Sequence, residues 1–200
     1  MGIKSITVKR FKSRGGPTGK TERVNELQQD FTTERLNQKW VTDITYISTH
    51  KDGWTYLASV MDLRIRKVIG WSYGHRATAD LTVAALDMAL EQQGYPKGVI
   101  VHSDMGSQYT SKLFVNRIKS MELIQSFSKK GCPYDNAVIE SFHGILKREE
   151  VNLRQYKDYV SAKAALFDYI EGWYNKRRLH GALGGLTPQE AENICLEAVK

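Results

Sequence analysis

Short runs of β-branched and aromatic residues recur along the chain from residue 39 onwards. Three of them, KWVTDITYIS, WTYLASVMD and KVIGWSYG, are separated by the turn-forming stretches THKDG and LRIR, a pattern typical of an antiparallel strand meander. Two later runs, GVIVHS and LIQSF, predict two further strands. The predicted strands are apolar on both faces, which indicates a sheet covered by helices on both sides.

Helical periodicity follows the meander. In DLTVAALDMALEQQG, apolar residues recur at helical spacing, an acidic residue opens the segment, and Gly94 ends it. The other predicted helices are SKLFVNRIKSM, residues 135–150, residues 158–177 and a short helix beginning at TPQEA. A meander followed by helices alternating with parallel strands predicts an α/β fold, a mixed five-stranded sheet flanked by helices on both faces.

Three acidic residues lie at positions that are unusual for acids. Asp43 interrupts the strand WVTDITYI, although aspartate is depleted in strands and an ionised carboxylate there must be paired, bound to a metal or near solvent. Asp104 directly follows GVIVHS, at the carboxyl end of a strand, where open α/β sheets place their ligands. Glu140 lies in the predicted helix YDNAVIESFHGILKRE. Taken singly, each acid has an ordinary explanation: an arginine partner, a helix cap and a solvated helix face, respectively.

The predicted helix around Glu140 is amphipathic. At 100° per residue, one apolar stripe is formed by Val138, Ile139, Phe142, Ile145 and Leu146. Glu140 falls nearly opposite and shares its face with Asn136, His143 and Lys147. We therefore expect the helix to pack by one side and to present polar side chains on the other.

Together, the three carboxylates suit a hard divalent cation. They come from three elements with no soft ligand beside them, which favours Mg²⁺, or Mn²⁺ as a substitute. Two such ions about 3.5–4 Å apart can hold the attacking and leaving oxygens of an in-line phosphoryl displacement. A zinc site is disfavoured because neither cysteine lies at a ligand-like interval from the histidines.

Composition is that of an ordinary globular protein, with 41% apolar and 26% charged residues. No apolar run reaches the ~20 residues that a membrane-spanning helix needs, so we expect no membrane association. Cys132 and Cys195 have no pairing or metal-ligand spacing and fit a reducing, cytosolic compartment.

The net charge of +7 is unevenly distributed. Residues 1–24 contain seven basic residues, among them Lys9, Arg10 and Lys12, and one acidic residue, so six of the seven net charges lie there. Such an arm suits a polyanion partner because cations near phosphates release condensed counterions, although a solvated leader explains it equally well. GGPTGKT within the arm resembles a P-loop, but Arg14 stands where the motif needs its first glycine.

Four sequence motifs resemble a known family. Asp104 follows Asp43 by 61 positions and Glu140 follows Asp104 by 36, which is similar to the D,D,E catalytic core of retroviral integrases and bacterial insertion-sequence transposases. The surrounding stretches look closer still to the second-frame product of the IS-three family. They are WVTDITYI, HSDMGSQYTS, GCPYDNAVIESFHGILKRE and YNKRRLHGALGGLTPQEA, in the family's order from about residue 24 to residue 191.

The resemblance implies a ribonuclease-H-like fold and a DNA strand-transfer enzyme. Asp43, Asp104 and Glu140 would be the catalytic, metal-binding acids, with Mg²⁺ as cofactor and Mn²⁺ as substitute. Lys147 matches a basic position that contacts DNA near the transferred end. The expected DNA contacts are Lys147, Asn136, His143, Arg177, Arg178, Lys9, Arg10 and Lys12. The expected partners are the ends of the mobile element, target DNA and further copies of the chain, in the nucleoid-associated cytoplasm of a bacterium.

We expect three regions along the chain. Residues 1–36 would form a basic N-terminal arm, residues 37–178 the integrase-like catalytic core, and residues 179–200 a C-terminal tail with a short helix. The opening MGIKSITVKRF resembles the end of the DNA-binding region that precedes the core in this family, which suggests a truncated product, an excised domain or a remnant. Two rival functions remain: an inactive or domesticated DNA-binding remnant, and a related metal-dependent nuclease.

Overall fold

The computed structural model describes residues 24–129 and 133–198. The first part of the basic arm, with Lys9, Arg10 and Lys12, and the P-loop-like stretch lie outside the described residues. Within the described ranges, no helix is both long and apolar enough to cross a membrane.

The described residues form five strands: β1 (Lys39–Thr49), β2 (Gly53–Asp62), β3 (Val68–Gly74), β4 (Ile100–Ser103) and β5 (Ile124–Phe127). They form one mixed sheet with the order β3-β2-β1-β4-β5. β1, β2 and β3 are the antiparallel meander, and β4 and β5 join it parallel to β1. This arrangement confirms the fold predicted from the hydrophobic pattern.

Side chains cap the predicted helices where the sequence places helix starts. Thr78, Ser111, Asp158 and Thr187 each accept a backbone hydrogen bond from the first turn that follows. Short 3-10 turns lie at Pro133–Asn136, Val151–Leu153 and Gly181–Leu183. The α-helices are α1 (Ala79–Gln92), α2 (Lys112–Ser120), α3 (Ala137–Glu149), α4 (Tyr159–Phe167) and α5 (Pro188–Glu197).

The predicted helix over residues 158–177 is interrupted. α4 ends at Phe167 and continues as a π-helix, Asp168–Tyr174, in which the Asn175 N–H donates to the Ile170 carbonyl at 3.0 Å. The wider turn keeps Tyr169, Ile170 and Tyr174 buried on one side. Periodicity could not reveal this break because a π-helix uses the same residue types as an α-helix.

Hydrophobic cores lie on both faces of the sheet, as the apolar strands predict. α1 and α2 cover one face, around Trp40, Ile69 and Phe114. α3, α4 and the π-helix cover the other, around Phe142 and Leu166.

Residues just before β1 pack onto this second core. Leu27 is buried there, and Asn25 Nδ2 donates to Asp135 Oδ2 at 2.9 Å. This part of the predicted arm, residues 24–36, therefore packs against the helices and strands that follow it.

The turn between β1 and β2 is tied to the segment that leads into α4. Thr49 forms a bridge with Tyr156, the His50 N–H donates to the Tyr156 carbonyl at 2.9 Å, and the Tyr159 N–H donates to Asp52 Oδ2 at 2.6 Å. These contacts hold the hairpin end against a segment about a hundred residues later in the chain.

Candidate active site

Asp43 and Asp104 lie on neighbouring strands where those strands part. β1 and β4 pair in parallel register from Lys39 to Val41, with Val41 opposite His102. Two residues further along, β1 carries Asp43, whereas β4 has ended at Ser103 and Asp104 is the next residue. The register thus directs both acids toward the carboxyl end of β4, where open α/β sheets bind their ligands.

Asp43 is held by a histidine from α3. His143 Nδ1 lies 3.4 Å from Asp43 Oδ2, and His143 Nε2 lies 3.3 Å from Ser59 Oγ on β2. The imidazole thus lies between Asp43 on β1 and Ser59 on β2, beneath the helix.

Asp104 closes a turn through a hydrogen bond, and the pKa of its carboxyl is raised. Its Oδ1 accepts a hydrogen bond from the Gly106 N–H at 2.8 Å, which closes the turn after β4. A Cβ at Gly106 would lie 2.8 Å from the same oxygen, so a larger residue there would displace the Asp104 carboxylate. Partial burial, and secondly the charge of Asp43, raise the pKa of Asp104, although the Gly106 hydrogen bond opposes them.

Glu140 lies on the first turn of α3 with its side chain exposed. Desolvation raises the pKa of its carboxyl, the charge of Asp43 raises it further, and His143 lowers it. Asp43 therefore influences both other acids, which indicates that the three carboxylates face a common region.

The three acids do not close into a metal-binding cluster. Among residues 24–129 and 133–198, no three histidine, cysteine or acidic side chains lie close enough to hold one ion. Like charges disfavour one another, so we expect a bound cation to be needed to draw the three acids together. Carboxylate oxygens are nevertheless the hard donors that suit Mg²⁺.

The open face of α3 is narrower than the helical wheel predicts. Asn136 and His143 are buried, so the expectation that they share an exposed face with Glu140 is wrong. α3 lies across β1 and β2, and this flank of the helix faces the strands: Asn136 Nδ2 donates to the Thr42 carbonyl at 3.2 Å. Since this contact occupies the Asn136 amide and Asp43 holds the imidazole, both side chains are in positions that support the acids.

The other side chains predicted to contact DNA differ in whether they are already paired within the protein. Lys147 lies on α3, with its Nζ 3.9 Å from the centre of the Tyr46 ring. Arg177 is exposed, whereas Arg178 makes a bidentate ion pair with Glu149 at 2.9–3.1 Å. Arg178 is therefore committed to the contact between α3 and the segment after the π-helix.

Two features near the acids were missed in the sequence. The Tyr109 and Thr42 hydroxyls share a hydrogen bond at 3.2 Å; burial, followed by the charge of Asp43, raises the pKa of Tyr109. Tyr46 and Trp54 form an exposed edge-to-face pair on the sheet. The signal available in the sequence was that Thr42, Tyr46 and Tyr109 lie within WVTDITYI and HSDMGSQYTS, and that Trp54 follows the hairpin turn.

Comparison with known proteins gives consistent matches. Family models described as "Integrase core domain" match residues 33–133 and 122–188. The chain is 47% identical over 169 residues to the transposase InsF of insertion sequence IS3A from Escherichia coli K12, covering 84% of this chain and 58% of that protein. It is 40% identical over 164 residues to an uncharacterized 31 kDa protein of insertion element IS600 from Shigella sonnei, covering 82% and 60% respectively. The chain thus spans a little over half the length of these relatives.

Solved structures show the same fold. The HTLV-2 integrase catalytic core domain in complex with magnesium aligns with a TM-score of 0.59 at 19% identity, covering 78% of this chain and 97% of that one. The catalytic core domain of BIV integrase aligns with a TM-score of 0.52 at 22% identity, covering 81% and 95% respectively. Both support the mixed five-stranded sheet with helices on its two faces.

Proposed function

Because the chain belongs to the integrase core domain family, we propose that it is the catalytic core of an insertion-sequence transposase that cuts and joins DNA strands. The observation that most supports this proposal is the parallel register of β1 and β4, which runs up to two residues before Asp43 and Asp104, while Glu140 lies on the first turn of α3. Phosphoryl transfer needs little more from a protein than such positioned charge.

The proposed division of labour follows from the contacts of each acid. Asp43, Asp104 and Glu140 would hold the metal ions, and a bound Mg²⁺, or Mn²⁺ in its place, supplies the positive charge that offsets charge developing on the phosphate. His143 keeps the Asp43 carboxylate oriented, and the Gly106 N–H keeps Asp104 in place. Glu140, exposed on the first turn of α3, is the acid with most freedom to adjust.

The proposed partner is DNA, both as the end of a mobile element and as target. Lys147 and Arg177 would contact phosphates, and the basic arm would add sequence-independent attraction. Strand transfer that joins two ends usually needs a multimer in this family, so we propose that further copies of the chain assemble on DNA, within the bacterial nucleoid. We also keep the division into residues 1–36, 37–178 and 179–200 as part of the proposal.

Glu140→Gln tests the proposed function. The exposed side chain keeps its shape and loses its charge, so folding and DNA binding should persist while metal-dependent nicking and joining of a labelled duplex end fall at least ~100-fold. Lys147→Ala should instead weaken binding of the DNA end and leave metal binding intact. Glu91→Gln, an exposed acid on α1, is the matched control.

Three results would contradict this assignment. Nicking at the wild-type level by Glu140→Gln would remove this residue from the catalytic acids. A wild-type chain that binds DNA and shows no nicking in Mg²⁺ or Mn²⁺ would favour a DNA-binding remnant, and nicking without joining would favour a nuclease.

A further inference from the structure

A groove of about 520 Å³ opens beside the candidate active site, between the β1–β2 hairpin and the end of α3. Two large aromatic side chains line it: Tyr46 is 56% exposed and Trp54 is 58% exposed. We call it the aromatic groove. Its volume is within the ~300–1,000 Å³ of sites that take small organic groups.

The two rings belong to one face of the hairpin. Tyr46 pairs with Tyr56 and Ser48 pairs with Trp54, so Tyr46 and Trp54 are diagonal neighbours across the two strands. Their ring centres are 5.1 Å apart at 86°, an edge-to-face contact that fixes both rings and leaves the open face of one available for stacking.

Contacts within the protein form the aromatic groove before any ligand binds. Thr49 and Tyr156, which lie at its base, are buried and joined by a bridge, and the His50 N–H donates to the Tyr156 carbonyl. A ligand therefore does not have to order the hairpin before it binds, which lowers the entropic cost of binding.

The charge in the aromatic groove is positive. Lys147 and Arg154 line it, and none of the lining residues that the structure describes is acidic. Arg154 is paired with the buried Glu150 at 3.0 Å. Lys147 has no carboxylate within ion-pair distance among the described residues, and its Nζ lies over the Tyr46 ring.

The aromatic groove continues from the same two elements that carry the acids. Tyr46 is three residues beyond Asp43 on β1, about 10 Å along the strand. Lys147 is seven residues beyond Glu140 on α3, also about 10 Å along the helix. Side chains alternate along β1, so Tyr46 and Asp43 point to opposite faces of the strand. Lys147 links the two regions, because it lies on the same side of α3 as Glu140 and its Nζ is 3.9 Å from the centre of the Tyr46 ring. A DNA strand that passed from the acids along Lys147 would reach the groove.

We propose that the aromatic groove binds unpaired nucleotides of a DNA strand, with a base stacked on Trp54 beside Tyr46 and a phosphate on Lys147. The proposal rests on the proposed function, because it assumes that the strand at the acids is DNA. Exposed aromatic faces beside a cation are the combination by which proteins hold single strands without reading their sequence. The inference adds a strand-positioning site, in which Trp54 and Tyr46 contact nucleotides that do not react.

The test uses the full chain in EDTA, so that binding is measured without cleavage. Two labelled duplexes carry a single-stranded extension of equal length and charge, one of thymidines and one of abasic sites. Wild type should bind the thymidine extension about tenfold more tightly, within the range measured for base–aromatic stacking. Trp54→Ala should bind both about equally, at the abasic level.

Tryptophan fluorescence supplies a second readout. A base stacked on Trp54 should quench its emission, so Trp54→Phe should keep most of the affinity and lose most of the quenching. Trp173→Phe, the matched control at another exposed tryptophan, should retain both. Because Trp54 is more than half exposed, these variants should unfold at the wild-type temperature.

Each outcome decides the proposal. A Trp54→Ala chain that keeps the thymidine preference overturns it, even if the wild type cuts and joins DNA. A Trp54→Ala chain with unchanged affinities and an altered sedimentation coefficient overturns it in favour of a contact between copies. Loss of the preference in Trp54→Ala, in a wild type that never nicks DNA, upholds the groove and contradicts the proposed function.

Discussion

At the scale of single residues, Asp43 is the acid that interacts with the other residues of the candidate site. It contacts His143, and its charge raises the pKa of both Asp104 and Glu140. The three acids could be proposed from the sequence because their spacing and the motifs around them resemble a known pattern, and their role stays a prediction. The burial of His143 could not be predicted. A helical wheel shows the direction in which each side chain points, but it does not show how far the strands extend beneath the helix.

Asp43→Asn should lower the pKa of Glu140 and of Asp104, since it removes a neighbouring negative charge. Both pKa values should stay above the ordinary carboxyl range because desolvation, the larger cause, remains. Carboxyl carbon chemical shifts followed against pH measure this directly. Asp80→Asn, at an exposed acid on α1, is the control, and an unchanged Glu140 titration in Asp43→Asn would show that the acids are not coupled.

The same pKa shifts affect stability. Because the folded chain binds these two protons more tightly than the unfolded chain, both groups favour folding below the ordinary carboxyl range. That contribution is lost as pH rises through the raised pKa values. Urea unfolding of Asp43→Asn should therefore lose less stability over this pH range than wild type does.

At the scale of elements, the strands and helix starts follow local patterns closely. All five strands could be predicted because short β-branched runs ended by turn residues have few other structures available. The close packing of α1 on β3 could not be predicted in the same way. It depends on Gly70, where a Cβ would lie 2.3 Å from the Ala85 carbonyl oxygen and 2.8 Å from the Ala89 Cβ.

Gly70→Ala should destabilise the chain by about 3 kcal/mol, because α1 must move away from the sheet to admit one methyl group. Gly144→Ala is the matched control within a helix: no atom lies within 4 Å of its added Cβ, and it should stabilise by ~0.5–1 kcal/mol. Urea unfolding measures both. Equal stability of the two variants would contradict the observed packing of α1.

At the scale of the whole molecule, charge and fold are separated along the chain. Residues 1–23 carry six of the seven net positive charges, so the remainder is close to neutral. The family and the fold could be predicted from four motifs in order, whereas the aromatic groove could not. It combines residues 46–54 with residues 147–156, which no local pattern joins.

Removing residues 1–23 should weaken DNA binding by on the order of tenfold at low salt and make it less salt-dependent, because fewer counterions are released. The loss should be similar for unrelated DNA sequences, since phosphate contacts carry no sequence information. Fluorescence anisotropy across a salt series measures both. A truncated chain that binds as tightly as the full chain, with the same salt dependence, would show that the arm is a solvated leader.

The bridge between Thr49 and Tyr156 also sets an order of events during folding. The β1–β2 hairpin is local and can form as soon as its residues leave the ribosome. Tyr156, which forms the bridge with Thr49 of the hairpin, lies 107 positions later than Thr49. Contacts of such high sequence separation form late, because the intervening loop must first be closed. We therefore expect Asp43 and Asp104 to be in place before Tyr156 packs against the hairpin. A nascent chain would then have these two carboxylates before it has the groove proposed to hold a DNA strand.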